Sequence, residues 1–346
     1  MSDRQGVMAQ SKLRHPTSGG LISRLFVQVG MLPVLLVVAI VLFGTVEPRF
    51  LSLANMTNVI RQATYLVIVS MGQMIVLLTA GLDLSVGSTI ALVSVVTATI
   101  MAAVLAADPG AVGLAIGIGI TAGLATGAVV GVVNGVGVAV LKVTPFMMTL
   151  GMLSITFGLA LTLSGGSPVY GMPKSFGNIL GYSRLLGVPV PVYIAGAIVI
   201  FVYGLLNWMR VGRYFYALGS NPRAVHLSGI RVPSYLFLAY TLCGLLAGAA
   251  GVLLTARVLS GEANMGQELV LQSIAACVIG GVSLFGGIGR VGNVLLGAIF
   301  ITLLTNGMNL IRVNGYLQQV VVGVVLIFAI VIDQMRLRRA GQLRAS

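Results

Sequence analysis

The chain has 346 residues, 58% of them hydrophobic and 8% charged, with a net charge of +13 from 20 Lys and Arg against 7 Asp and Glu. Soluble globular domains carry about 25% charged residues, so this chain has too few ionisable side chains to cover a water-facing surface, and a soluble fold is excluded. Lipid as solvent needs no such cover, which leaves an all-α, polytopic helical membrane protein.

A charged tail, residues 1–25, comes first. The apolar run behind it extends from Leu25 to Gly44, longer than the core of a signal peptide and without an A-x-A cleavage site, so a retained anchor helix is expected. Ten runs have the length that crosses a hydrocarbon core: approximately 26–44, 63–80, 86–107, 112–141, 145–165, 190–208, 234–256, 269–286, 291–311 and 316–332. They define a transmembrane region over 26–332, a cytoplasmic segment at 210–232 and a C-terminal tail at 333–346. An even count returns both termini to one side. With that side inside, 14 of the 20 Lys and Arg fall on inner segments, which by the positive-inside rule makes both termini cytoplasmic. Eight or nine spans are also compatible, because the connections near Ser85 and Arg290 are short enough to be re-entrant.

Twelve of the 20 basic residues cluster in three places, at Arg4, Lys12, Arg14 and Arg24, at Arg210, Arg213, Arg223 and Arg231, and at Arg336, Arg338, Arg339 and Arg344, each cluster beside apolar runs. They lack the interleaved aromatics that stack bases. The charge therefore reports orientation, and nucleic acid is not an expected partner.

Six of the seven acidic residues fall in outer loops (Glu47, Asp108, Glu262, Glu268) or at inner ends (Asp3, Asp333). Asp83 differs. It sits with Ser85 in the break between the second and third runs, with no basic neighbour in sequence. Two readings stand: a carboxylate that caps the next helix, or a group that bonds a polar solute in transit. In the fourth run Gly119, Gly123, Gly127, Gly131 and Gly135 share one helix face, and Gly244 and Gly248 repeat the spacing in the seventh. Such ladders admit a neighbouring backbone, or form a pore-lining face. Asn134 lies beside the ladder.

The segment between the sixth and seventh runs carries a short helix. Asn221 is its N-cap, Pro222 its first residue and Gly229 the glycine just past its end, giving about two turns. Arg223 and His226 face outward and Ala224 and Leu227 are available for docking, a pattern suited to a groove on a partner.

Gln272 in the eighth run is a weaker polar candidate, as is Asn134. Residues 287–292 fit G-x-G-x-x-G, but they follow an apolar run rather than a strand and have no acidic residue at the required distance, so a turn is expected and not a dinucleotide site. No Gly-Lys dipeptide occurs, and a phosphate-binding P-loop is excluded. In the ninth run Thr302, Thr305, Asn306 and Asn309 fall at i, i+3, i+4 and i+7, one stripe of a helix. In hydrocarbon it must bond other helices or line a path for something polar and uncharged. The scarcity of intramembrane charge argues against an ion-coupled carrier. His15 and His226 are far apart, and Cys243 and Cys277 lie in apolar runs, so no catalytic or metal cluster is expected and no cofactor is assigned to this chain.

Four blocks carry a resemblance: residues 81–88 (GLDLSVGS), 131–151 (GVVNGVGVAVLKVTPFMMTLG), 214–230 (YFYALGSNPRAVHLSGI) and 279–292 (IGGVSLFGGIGRVG), the last continuing to Asn306-Gly307-Met308-Asn309-Leu310. The chain resembles the permease subunit of bacterial monosaccharide ABC importers, the ribose, arabinose, xylose and galactose permeases. The resemblance spans nearly the whole chain after the tail. It departs from the family pattern at Ala80-Gly81-Leu82, where relatives show Gly-Gly-Ile. The resemblance implies a multi-pass inner-membrane protein that pairs with a second permease, often a copy of itself. It implies a cytoplasmic ABC ATPase that binds ATP and Mg, and a periplasmic sugar-binding protein. By the same resemblance Asn221, Pro222, Arg223, Ala224, His226, Leu227 and Gly229 form the coupling helix that meets the ATPase. Candidate path residues are Asp83, Ser85, Asn134, Gln272, Thr302, Thr305, Asn306 and Asn309. The alternatives are a branched-chain amino-acid permease and a stand-alone ion-coupled carrier.

Overall fold

The computed structural model describes residues 32–345, with side chains to residue 331. The N-terminal tail, the start of the first run and the side chains of the C-terminal arginines lie outside the described residues. All ten predicted runs contain a helix. In chain order the main helices are α1 (Leu32–Val46), α2 (Leu53–Leu78), α3 (Val86–Ala107), α4 (Val112–Ala139), α5 (Pro145–Ser164), α6 (Val190–Asn207), α7 (Arg210–Ser220), α8 (Pro222–Leu227), α9 (Val232–Val258), α10 (Gln267–Ile279), α11 (Val291–Leu310) and α12 (Gly315–Ala345), with short helical turns at Pro48–Leu51, Lys174–Phe176 and Gly177–Tyr182. A two-residue hairpin, β1 (Arg184–Leu185) with β2 (Val188–Pro189), precedes α6.

Among the described residues, seven helices are long and apolar enough to cross a membrane: α2, α3, α4, α5, α6, α9 and α11. Three further apolar stretches, Leu32–Val46, Gln267–Ile279 and Gly315–Val331, are shorter. The chain is thus an all-α, multi-pass membrane protein. The eighth predicted run, 269–286, ends as a helix at Ile279 because Gly280 and Gly281 follow, the latter at φ 78°. At 1.5 Å per residue α10 is about 20 Å long, less than the about 30 Å of a hydrocarbon core. Conversely α2 begins ten residues before the predicted 63, at Leu53. Asn55, Asn58, Arg61 and Gln62 lower the hydropathy of its first turns, yet Ser52 caps the helix by accepting from the Asn55 N–H at 3.3 Å.

α2 is the central post. Every residue from Ala63 to Leu78 is buried, as expected of a helix that is apolar all round. It packs against α9, α11, α10 and α6. The closest pairing is α4 with α9, and the glycine ladder makes it. A Cβ on Gly127 would lie 2.5 Å from Gly244 O, one on Gly131 2.5 Å from Tyr240 O, and one on Gly135 2.8 Å from Phe237 O. Gly113 and Gly117, off the ladder, would meet nothing. Backbone-to-backbone contact of this kind is how helices gain dispersion energy in lipid, where no hydrophobic drive acts between them.

Candidate functional site

The polar residues singled out in the sequence separate into three places. The first is a buried knot around the break between α2 and α3. Asp83 is 2% exposed, and its Oδ1 accepts from the Ser85 N–H at 2.9 Å and the Ser85 hydroxyl at 2.6 Å. Asn134 of α4 donates to Ser85 Oγ at 2.9 Å. Thr149 of α5 lies within 3.3 Å of Leu82 O, and Thr156 donates to Ser88 Oγ at 2.7 Å. Asp83 thus bonds the residue two positions on, as an Asx turn does, rather than capping the first turn of α3. Burial of most of these groups is compensated because they satisfy one another, while the Asn134 Oδ1 and the neighbouring Tyr240 hydroxyl have no partner among the described residues. Gly81 is closely hemmed in here, since a Cβ would sit 2.5 Å from the Tyr240 hydroxyl and 3.0 Å from a Val76 methyl. Ala80, at the position where the family pattern has glycine, adopts φ 60°.

The second place is a cavity of about 650 Å³ between α2, α9, α10, α11 and α12. Gln272, Thr302, Thr305 and Asn309 line it. Asn306, from the same stripe, does not: it is buried in a reciprocal amide pair with Asn55, at 2.9 and 3.1 Å. The Thr302 and Thr305 hydroxyls donate to Ala298 O and Ile301 O within their own helix, which leaves oxygen lone pairs to accept from a visitor. Gln318 donates to Asn309 Oδ1 at 2.8 Å, and Gln319 to Glu268 Oε1 at 3.2 Å. The amides of Gln62 and Gln272 face the cavity and make no hydrogen bond among the described residues. Arg257, also in the wall, lies over the Tyr65 ring, 5.6 Å from its centroid. The polar part of the lining is mainly amide and hydroxyl, with one cation, Arg257, and one anion, Glu268, set among apolar residues such as Leu66, Leu254 and Val322. Such a wall suits a neutral solute with many hydroxyls, which needs donors and acceptors but no counter-charge.

Third is the short helix α8, at the other end of the bundle. The cavity is bounded by the starts of α2, α10 and α12 and the ends of α9 and α11. The α7–α8 segment instead meets the end of α2 and the turn before α11. Asn221 accepts from the Ala224 N–H at 3.0 Å, Pro222 opens the helix, and Gly229 takes φ 78°. Of its side chains only Val225 is buried. Arg223, Ala224, His226 and Leu227 are exposed, the leucine by 80%. Its lead-in α7 is seated on the bundle by Phe215 and Leu218 and by Tyr216, whose hydroxyl donates to Gly289 O at 3.0 Å. Burial raises the Tyr216 hydroxyl above its ordinary value, against a smaller lowering by Arg290, so it stays protonated and donates. Of residues 287–292, 291–292 already belong to α11; the chain turns at 284–287, with Gly286 and Gly287 at positive φ, and 288–290 lead into the helix.

Sequence reasoning did not single out Gln62, Tyr65, Arg257, Gln318 or Gln319. The glutamines carried a signal, as amides near the ends of apolar runs. Among the described residues, no group of three or more His, Cys, Asp or Glu could hold a metal ion.

Comparison with known proteins adds ancestry to this geometry. Residues 55–330 match the family described as branched-chain amino acid transport system / permease component. Over 306 residues the chain is 38% identical to the ribose import permease protein RbsC of Escherichia coli, covering 87% of this chain and 92% of that protein. It is 36% identical to the D-allose transport system permease protein AlsC of the same species, over 87% and 90%. With the galactose/methyl galactoside import permease protein MglC it shares 35%, over 90% and 95%. No solved structure matches the chain.

Proposed function

The chain belongs to this family of transport-system permease components and is a permease subunit of an ATP-driven importer, with ATP hydrolysis on a separate subunit; from that premise we propose that its own solute is a monosaccharide, a pentose, hexose or related polyol. The single observation that carries this is the cavity, whose amides and hydroxyls match a neutral, polyhydroxylated solute. The family description mentions amino acids, but the three relatives compared are named for sugars.

In this reading both termini are cytoplasmic and the protein lies in a bacterial inner membrane. The three shorter apolar helices complete ten passes, at least some of them beside a second permease copy. The cavity then opens toward the periplasm, where a sugar-binding protein delivers the solute, and α8 faces the ATPase. Thr302, Thr305, Asn309 and Gln272 belong to the path. Asp83, Ser85 and Asn134 hold the surrounding helices, and Asn306 braces α11 against α2. Inward- and outward-facing states alternate as ATP binding and hydrolysis favour different states of the assembly.

Reconstitution tests this. The permease, its ATPase and its binding protein are placed in vesicles, and uptake of labelled ribose, allose, galactose and leucine is compared. ATP-dependent uptake of one sugar is expected, and uptake of leucine alone would overturn the proposal. Arg223→Glu is expected to leave insertion intact and to uncouple hydrolysis from uptake. Undiminished uptake would remove α8 from the ATPase contact.

A further inference from the structure

We propose that Tyr216 and Gly219 are positioning residues that join the α7–α8 segment rigidly to α2 and α11, so that a displacement of α8 reshapes the cavity at the far end of those two helices. This rests on α8 being the ATPase contact.

Three stretches of main chain meet at one point: the end of α7 at Gly219 and Ser220, the end of α2 at Leu78 and Ala80, and the turn at Gly286 and Gly287 before α11. Only the small side chains of Ala80 and Ser220 lie at the meeting. A methyl group on Gly219 would overlap Leu78 O and Gly287 N, and one on Gly286 would lie 2.7 Å from Gly219 Cα and 2.8 Å from Ala80 N. The Gly287 N–H donates to Leu78 O at 3.0 Å, tying the ends of α2 and the turn together. Tyr216 then ties α7 to the same turn through Gly289 O. Side chains give by changing rotamer, whereas packed main chain moves as a block. A push on α7 therefore passes to both partners without loss into side-chain rearrangement.

The direction of travel follows from the helices. From Leu78 back to Tyr65 and from Val291 forward to Thr305, α2 and α11 each run about 20 Å at 1.5 Å per residue. Both end in the cavity wall. α8 itself buries only Val225, so its main hold on the bundle is through α7. The junction thus lies between the one segment shaped for a cytoplasmic partner and the two helices that carry cavity residues. A small shift at such a packed junction becomes a discrete rearrangement rather than a diffuse strain.

The test uses the whole transporter in vesicles, with Thr305→Cys as a reporter for a membrane-impermeant maleimide added at the cavity side. The native Cys243 and Cys277 are at most 1% exposed, so background labelling is low. In the reporter alone, trapping the ATPase with ATP and vanadate is expected to change the labelling rate severalfold. Tyr216→Phe, which removes only the hydroxyl, is expected to reduce that change at least twofold, and Gly219→Ala to abolish it, with ATPase assembly retained in both. A full change persisting in Tyr216→Phe overturns the proposal, whatever Gly219→Ala does to folding. No change in the reporter alone overturns it as well, and does so by removing the cavity from the transport cycle. Arg223→Glu, scored for assembly and uptake, reports separately on α8 as the ATPase contact.

Discussion

Two polar regions of this molecule look alike in sequence and behave oppositely in space. Around Asp83 most groups spend their hydrogen bonds on a neighbour: Ser85 gives to Asp83 and accepts from Asn134, and only the Asn134 Oδ1 and the nearby Tyr240 hydroxyl lack a partner among the described residues. Around Thr305 the wall keeps open valences, with the Gln62 and Gln272 amides unbonded among the described residues and the threonine oxygens turned to acceptors. Polarity inside a membrane protein therefore does not by itself mark a route. What separates a brace from a route is whether the groups are already satisfied by protein.

The comparison breaks most visibly at the knot. Asp83→Leu leaves the Ser85 N–H and hydroxyl without their acceptor, and a loss of about 3 kcal/mol or more is expected. It should appear as low yield and a lowered melting temperature in detergent. If Asp83→Leu were as stable as the parent but transported poorly, the knot would be a route after all. At the cavity the opposite signature is expected. Gln272→Leu or Thr305→Val should keep the melting temperature and lower uptake about tenfold, the equivalent of one lost hydrogen bond of about 1.4 kcal/mol. Asn306→Leu sharpens the contrast within one helix. It breaks the pair with Asn55, should cost about 1 kcal/mol of stability, and should leave uptake per folded molecule unchanged. The smallest effect is expected at Ala80→Gly, which relieves a left-handed alanine. Stability should rise by up to about 1 kcal/mol, offset in part by glycine's freedom in the unfolded chain, and a thermal melt would register it.

The helices were legible because apolar runs are long and charges few, and α8 was legible to the residue because Asn221, Pro222 and Gly229 are local signals. The end of α10 was not, since hydropathy runs on through Val282 and Leu284 while Gly280 and Gly281 break the helix. The stripe of α11 was half legible. Periodicity places Thr302, Asn306 and Asn309 together, but it cannot foresee that Asn55, some 250 residues away, claims Asn306. Nor does the spacing of Asp83 and Asn134 announce that Ser85 bridges them. Partners distant in sequence decide whether a polar group is spent or free, and one sequence holds no record of them.

The α4–α9 ladder has a genetic consequence. Glycine codons all begin GG, and every single-base substitution that changes the residue introduces a side chain. At Gly127, Gly131 and Gly244 a side chain would enter the opposing main chain. No gentle missense step therefore exists at these positions, and a saturation scan of the chain is expected to find only synonymous changes there.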